Sequence, residues 1–349
     1  YPGINVQHYG TDVRWAKSHD QDLGLEFKIL NSNLSFVLDW FEKYRTGIFL
    51  TRDNFPGFAG LQYQPDGNYG ITLNRGFDAT VDLSPVPITS KFSVSFRGTV
   101  SYNKAKLLEN GAAPYEEPYM DPRGRNLNYD YGFIAEGLFQ SQEQIDNHPD
   151  QTPVGGKPRP GDIMYKDLNA DGVINVYDQT FIGNGSIPPL TFGLGINFNY
   201  SRFYLSAFFQ GTQGAELFLD GVARSPFFGS DDNNIYAHTV SRWTAENPEE
   251  HPFYPRLGYR HSAHANNNVA STWWKKDVSF VRFKTLNVGY NVPNELFKKT
   301  GFKDARIYFD AVNLFYWSPF KLWDPELGSG SGNAYPNTRN LAIGIQVHF

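Results

Sequence analysis

A chain of 349 residues is long enough for one large domain with a sizeable core. Aromatics make up 16% and charged residues only 19%, with a net charge of −5 and a pI near 5.9, so a basic nucleic-acid-binding surface is excluded. Cysteine is absent, which excludes a disulfide framework, thiol chemistry and a cysteine zinc site.

No window approaches the ~18 consecutive apolar residues of a transmembrane helix. The mean hydropathy of −0.47 is uninformative if an apolar face is carried in alternation. The chain starts Tyr1-Pro2-Gly3, without a charged and then apolar leader, so a processed form or a fragment is expected.

Period-2 patterns recur from one end to the other, and each sorts side chains onto two faces. Leu23, Leu25, Phe27 and Ile29 oppose Gly24, Glu26 and Lys28. Phe77, Ala79, Val81 and Leu83 oppose Asp78, Thr80 and Asp82. Phe92, Val94, Phe96, Val100 and Tyr102 oppose Ser93, Ser95, Arg97, Thr99 and Ser101. Leu190, Phe192, Leu194, Ile196, Phe198 and Tyr200 oppose Thr191, Gly193, Gly195, Asn197 and Asn199. Leu341, Ile343, Ile345, Val347 and Phe349 oppose Asn340, Ala342, Gly344, Gln346 and His348. Less regular strands are expected at Leu34–Glu42, Phe203–Gly211, Val278–Val292 and Ala305–Phe315.

A half-buried sheet on a soluble core would alternate as well. Segment length decides, since runs of about 9–13 residues match membrane-spanning strands rather than the shorter soluble norm. Short connections (around Ser32, Ser84–Ser90, Ser201–Arg202 and Pro293–Lys303) take turns with long ones, at about 44–70, 104–189, 212–277 and 316–339. That is the layout of a transmembrane barrel, with short periplasmic turns and long extracellular loops. The reading is all-β: a transmembrane antiparallel β-barrel, with residues 1–349 supplying about nine strands. A bacterial barrel with both ends periplasmic has an even strand count, so further strands are expected upstream.

Several blocks resemble the SusC/RagA family, the TonB-dependent outer-membrane transporters of Bacteroidota. They are Tyr131–Ile145, Pro160–Asn175 with Asp178 and Ile182-Gly183-Asn184, Phe209–Gly214, Val281–Pro293, Ala311–Phe315 and the terminal Phe349. Phe36–Thr46 and Asn74–Phe77 match the preceding strands. The resemblance implies the C-terminal part of a twenty-two-stranded barrel whose plug domain and TonB box lie outside this chain. It further implies import of oligosaccharides or peptides, a SusD-like surface lipoprotein as lid, TonB-ExbB-ExbD acting through the N-terminal region, and pairing of transporter–lipoprotein units.

Locally, Asp167, Asn169, Asp171, Gly172 and the Val173 carbonyl follow the first half of an EF-hand loop, with Asp178 in place of the closing glutamate. The expected role is a structural Ca2+ site pinning a long loop; the plain alternative is an Asx-rich turn that folds without metal. Loop aromatics could stack on sugar faces, and the candidates are Trp243, Trp317, Trp323 and Tyr335. Any one of them could equally pack its own loop or join an interfacial girdle, and Trp273-Trp274 reads as girdle. His261 and His264 lack a third ligand, and no carboxylate pair is placed for acid/base work, so no enzyme is expected. Two rival readings are a surface-exposed structural or adhesive β-barrel without active transport, and a soluble calcium-binding carbohydrate-binding domain.

Overall fold

The computed structural model describes residues 13–51, 66–225, 236–248, 252–258, 261–293, 295 and 303–348. The strands are, in order, β1 (Lys17–Ile29), β2 (Leu34–Thr51), β3 (Asp66–Thr89), β4 (Phe92–Glu109), β5 (Asp130–Phe133), β6 (Ala135–Leu138), β7 (Ile163–Tyr165) and β8 (Gln179–Gly183). Then follow β9 (Leu190–Tyr200), β10 (Phe203–Gln213), β11 (Glu216–Phe218), β12 (Lys275–Asp277), β13 (Phe280–Asn291), β14 (Asp304–Trp317) and β15 (Asn340–His348). The long ones form a single 9-stranded antiparallel sheet in the order β1-β2-β3-β4-β9-β10-β13-β14-β15. Each long strand therefore pairs with the next long strand along the chain, as in an up-and-down barrel wall.

Registers carry the two faces across the whole sheet. One row runs Leu25, Leu38, Ala79, Val100, Phe192; another runs Val94, Phe198, Leu205, Val288, Phe309, Ile343. These residues point outward, and Ile343 is 80% exposed. In water such exposure would forfeit about 1.5–3 kcal/mol per large apolar side chain, whereas lipid solvates it. The opposite face is polar, with rows Asp39, Asp78, Ser101, Thr191, Thr212 and Thr80, Thr99, Gly193, Gln210, Arg282, Tyr316. That face lines the lumen.

Aromatic pairs mark both ends of the apolar band. Phe92 with Phe198 and Phe203 with Tyr290 lie near the tight turns, their centroids 6.3 and 4.6 Å apart. Phe209–Phe283, Phe283–Phe315 and Phe315–Trp317 lie towards the long loops. At the β1–β2 turn Leu30, Asn31 and Ser32 all adopt positive φ (55°, 56° and 68°), and Asn33 N–H donates to the Leu30 carbonyl at 3.1 Å.

Several boundaries move. The expected loops at 44–70, 104–189 and 316–339 start later, because β2 continues to Thr51, β4 to Glu109 and β14 to Trp317, and β3 already begins at Asp66. Ladder pairing continues beyond the apolar band, where water rather than lipid flanks the strands, so alternation no longer signals it. The expected turn at Ser84–Ser90 contracts to Ser90-Lys91; the ladder absorbs the Pro85 and Pro87 region through register shifts between Leu83 and Val86 and between Pro87 and Thr89. The connection at Pro293–Lys303 lies mostly outside the described residues.

Candidate functional site

The long connections do not lie as separate flaps. Parts of the excursions after β4, β10 and β14 fold together around one core: Phe133, Leu138, Ile163, Tyr165, Ile174, Leu217, Leu219, Trp243, Tyr254, Trp274, Val278 and Phe320. Three small ladders, β5–β8, β6–β7 and β11–β12, frame it. The β11–β12 pair follows β10 and precedes β13 directly, so the core is built on strand ends of the wall.

Buried polar groups lock the excursions to one another. Gln151 Nε2 donates to the Ile163 carbonyl at 2.8 Å and to Asn266 Oδ1 at 2.6 Å, and Gln151 Oε1 accepts from Tyr165 N–H. Asn267 Nδ2 donates to Asp162 Oδ1, while Arg256 reaches the same carboxylate, Nε lying 2.6 Å from Oδ1. Removing one partner would leave another buried polar group unsatisfied, at about 1–3 kcal/mol.

The aspartate-rich turn closes on its own backbone. Asp167 accepts from Ala170 N–H (2.7 Å) and Gly172 N–H (2.9 Å), Asn169 from Asp171 N–H, and Asp171 from Val173 N–H. Ala170 and Gly172 take positive φ, 61° and 85°, which brings those N–H groups inward. Asp178 is fully buried, and its two carboxylate oxygens accept from Leu168 N–H and Asn175 N–H, both at 2.8 Å. The last carboxylate of the motif thus serves as a cap. Among the described residues no three acidic, histidine or cysteine side chains converge as metal ligands. The first half of the motif presents oxygen of the right chemistry for Ca2+; its closing residue is occupied elsewhere.

The candidate aromatics scatter. Trp243 is a core residue, 7% exposed, with Nε1 donating to Gln140 Oε1 at 2.9 Å, so it is corrected from ligand surface to packing. Trp323 packs against the same core and edge-on to Phe320, and its Nε1 donates to the Ser329 carbonyl. Trp317 is no loop residue: it ends β14 on the outward face beside Phe315. Tyr335 is exposed, at 84%. The four form no common surface. Trp274, expected in the girdle, is buried and donates to the Asn267 carbonyl. An aromatic in a loop is drawn into whatever core that loop can build, and linear sequence does not reveal that core.

What sequence reading missed is an ionic cluster on the lumenal wall. Arg282 of β13, 2% exposed, is paired with Asp324, and its Nε lies 2.9 Å from Glu326 Oε2. Lys284 Nζ is 3.2 Å from Glu326 Oε1, and Gln210 Nε2 donates to that same oxygen at 2.7 Å. The guanidinium also lies over the rings of Phe280 and Tyr316. Beside this cluster opens a cavity of about 650 Å³ whose lining includes Asp78, Thr80, Thr99, Gln210, Phe208 and Glu326. Hydroxyls, an amide and carboxylates around an aromatic floor can hydrogen-bond and stack a polar, ring-bearing or amide-bearing solute. The only sequence hint was an arginine at a lumenal position of β13; its partner Asp324 lies 42 residues further on.

Wall and turns together define a segment of a membrane-spanning β-barrel with a cavity beside its lumenal face. No family model matches the chain. It is 29% identical to the TonB-dependent receptor P26 of Formosa agariphila over 97% of its length, and 22% identical to the TonB-dependent receptor SusC of Bacteroides thetaiotaomicron over 100%; these matches take up 35% and 33% of the relatives. The solved RagAB peptide importer superposes at a TM-score of 0.69 in its open-open state and 0.67 in its closed-closed state, at 22% identity and over 97% and 96% of the chain.

The chain is similar to SusC/RagA-type TonB-dependent receptors over nearly its whole length, and it resides in the outer membrane of a Gram-negative bacterium. It spans about a third of the length of the curated relatives it matches. Those relatives are receptors and transporters, not enzymes.

Proposed function

We propose that this chain is the wall and extracellular loop module of an energised outer-membrane importer for oligosaccharides or peptides. What supports the reading most is the joint arrangement of a lipid-facing sheet and a lumenal cavity fringed by loops folded at its extracellular end. A purely adhesive barrel has no need of a recognition cavity opening into the lumen. The SusC and RagAB likenesses favour a SusD-like lipoprotein lid over that end, with a plug and TonB box outside this chain coupling to TonB-ExbB-ExbD. The aspartate-rich turn takes Ca2+ through Asp167, Asn169, Asp171 and the Val173 carbonyl as a structural clip rather than a catalytic ion.

The test is genetic and direct. Deleting the full-length gene is expected to abolish growth on one class of substrate, glycan or peptide, as sole carbon source. The complete receptor should restore growth, and a version lacking the TonB-interacting segment should not. Undiminished growth of the deletion strain on both panels, with adhesion to a surface lost instead, would establish the adhesive reading.

A further inference from the structure

On the outward face the cations are not spread evenly. Among the described residues, the registers put Lys17, Arg75, Lys104 and Lys106 outward, all on β1–β4 and all beyond the apolar band on the long-loop side. Outward positions near the tight turns carry Phe92, Tyr200, Phe203 and Tyr290 instead. Arg75 stands opposite Lys104, and Leu73 opposite Lys106, immediately above the pair Phe77–Tyr102, whose rings stack at 5.7 Å. Trp40, Leu73, Arg75, Gly76, Phe77, Tyr102, Lys104 and Lys106 enclose a groove of about 290 Å³. Glu42 is the carboxylate beside it and is engaged by Arg75; Lys104 and Lys106 are exposed and have no anionic partner among the described residues.

Three cations just above an aromatic, lipid-facing row match an amphiphile with a phosphate at the headgroup level and acyl chains below. Cations at a membrane surface attract anionic headgroups, and the attraction is strengthened where the phosphate accepts charge-assisted hydrogen bonds. The long-loop side is the extracellular side. We infer that this groove binds a phosphorylated glycolipid of the outer leaflet, its phosphate held by Arg75, Lys104 and Lys106 and its acyl chains lying along Trp40, Phe77 and Tyr102. Such a lipid fixes the height and tilt of the β2–β4 wall in the membrane.

The experiment uses the full-length receptor, delipidated in mild detergent and followed by native mass spectrometry. Phosphorylated lipid A, the same lipid dephosphorylated, and inorganic phosphate are the three probes. Wild type is expected to retain the phosphorylated lipid. The combined variant Arg75→Gln, Lys104→Gln, Lys106→Gln should retain it at least about tenfold less, while Lys91→Gln, at the opposite end of the wall, should not differ from wild type. Glu42→Gln, which removes the competing carboxylate, should retain more, and this gain keeps the inference testable if the combined variant does not fold. Equal retention by the combined variant overturns the site. Equal retention of the dephosphorylated lipid reduces it to an apolar groove, and equal binding of inorganic phosphate reduces it to an anion site; either result overturns the inference.

Discussion

Arg282 and Glu326 meet on the lumenal wall, Nε to Oε2 at 2.9 Å, although they belong to β13 and to the connection that follows β14. The guanidinium is almost completely buried and shares its charge between Asp324 and Glu326. The 318–339 excursion is therefore tied to the barrel by charge, not only by the Phe320 and Trp323 rings. Replacing Arg282 with Met is expected to leave two carboxylates without their main cation, costing about 3–5 kcal/mol, as breaking one side of a buried pair does. Limited proteolysis of this excursion in the reconstituted receptor should accelerate sharply. Lys284→Gln, at a partly exposed member of the cluster, should change it little.

Tyr308 covers Gly344 directly across the β14–β15 ladder, and its ring occupies the space a side chain at 344 would need. The same arrangement joins Tyr204 to Gly289. Gly344→Val is expected to expel the ring and destabilise the wall by about 1–3 kcal/mol. Tyr308→Ala combined with Gly344→Val should recover much of that loss. Heat-modifiable migration of the folded barrel on gels measures both.

Ile343 and Gly344 are neighbours in sequence but face lipid and lumen respectively. Ile343→Arg is expected to cost about 2–4 kcal/mol in a bilayer, read from urea titrations of the receptor folded into vesicles. Gln346→Arg, on the lumenal face, should be tolerated. Equal penalties at both positions would contradict the assignment of faces.

In the aspartate-rich turn, Asp178→Asn replaces one acceptor oxygen of a buried carboxylate by an NH2 group, leaving the part-buried N–H of Leu168 or Asn175 unpaired. The expected loss is about 1–3 kcal/mol of loop stability, with or without calcium. Calcium itself should raise the melting temperature of the wild type and fail to do so in Asp167→Ala, Asp171→Ala. A melting temperature indifferent to calcium in the wild type would leave the turn as a hydrogen-bonded one only.

His238 packs in the loop module, stacked on Tyr254 with Nε2 2.8 Å from the phenol oxygen, and burial holds its pKa below the ordinary value of 6.5. Folding therefore favours the neutral ring. Stability is complete above the unfolded-state value and falls as the pH drops below about 6.5 towards the lowered folded value, because the unfolded state binds the proton more readily. Proteolysis of the loop module should be faster at pH 5 than at pH 7.5, and His238→Phe should flatten that difference.

The sequence by itself determined the wall. Side-chain alternation is local, with a period of two, and its solvent partners are only two, so Leu341, Ile343 and Ile345 against Ala342, Gly344 and Gln346 already state which face meets lipid. The parity of short and long connections likewise oriented the wall.

The candidate site was barely legible, for an equally physical reason. Arg282 and Asp324 are separated by 42 residues, and Gln151 and Asn266 by 115. Whether Trp243 met a ligand or a core depended on three excursions folding together. The strand ends past the regularly alternating segments, Trp317 among them, also emerged only from pairing. Partners distant in the chain are chosen by tertiary packing, and only the folded loops decided which polar and aromatic groups were spent on structure and which remained for a solute.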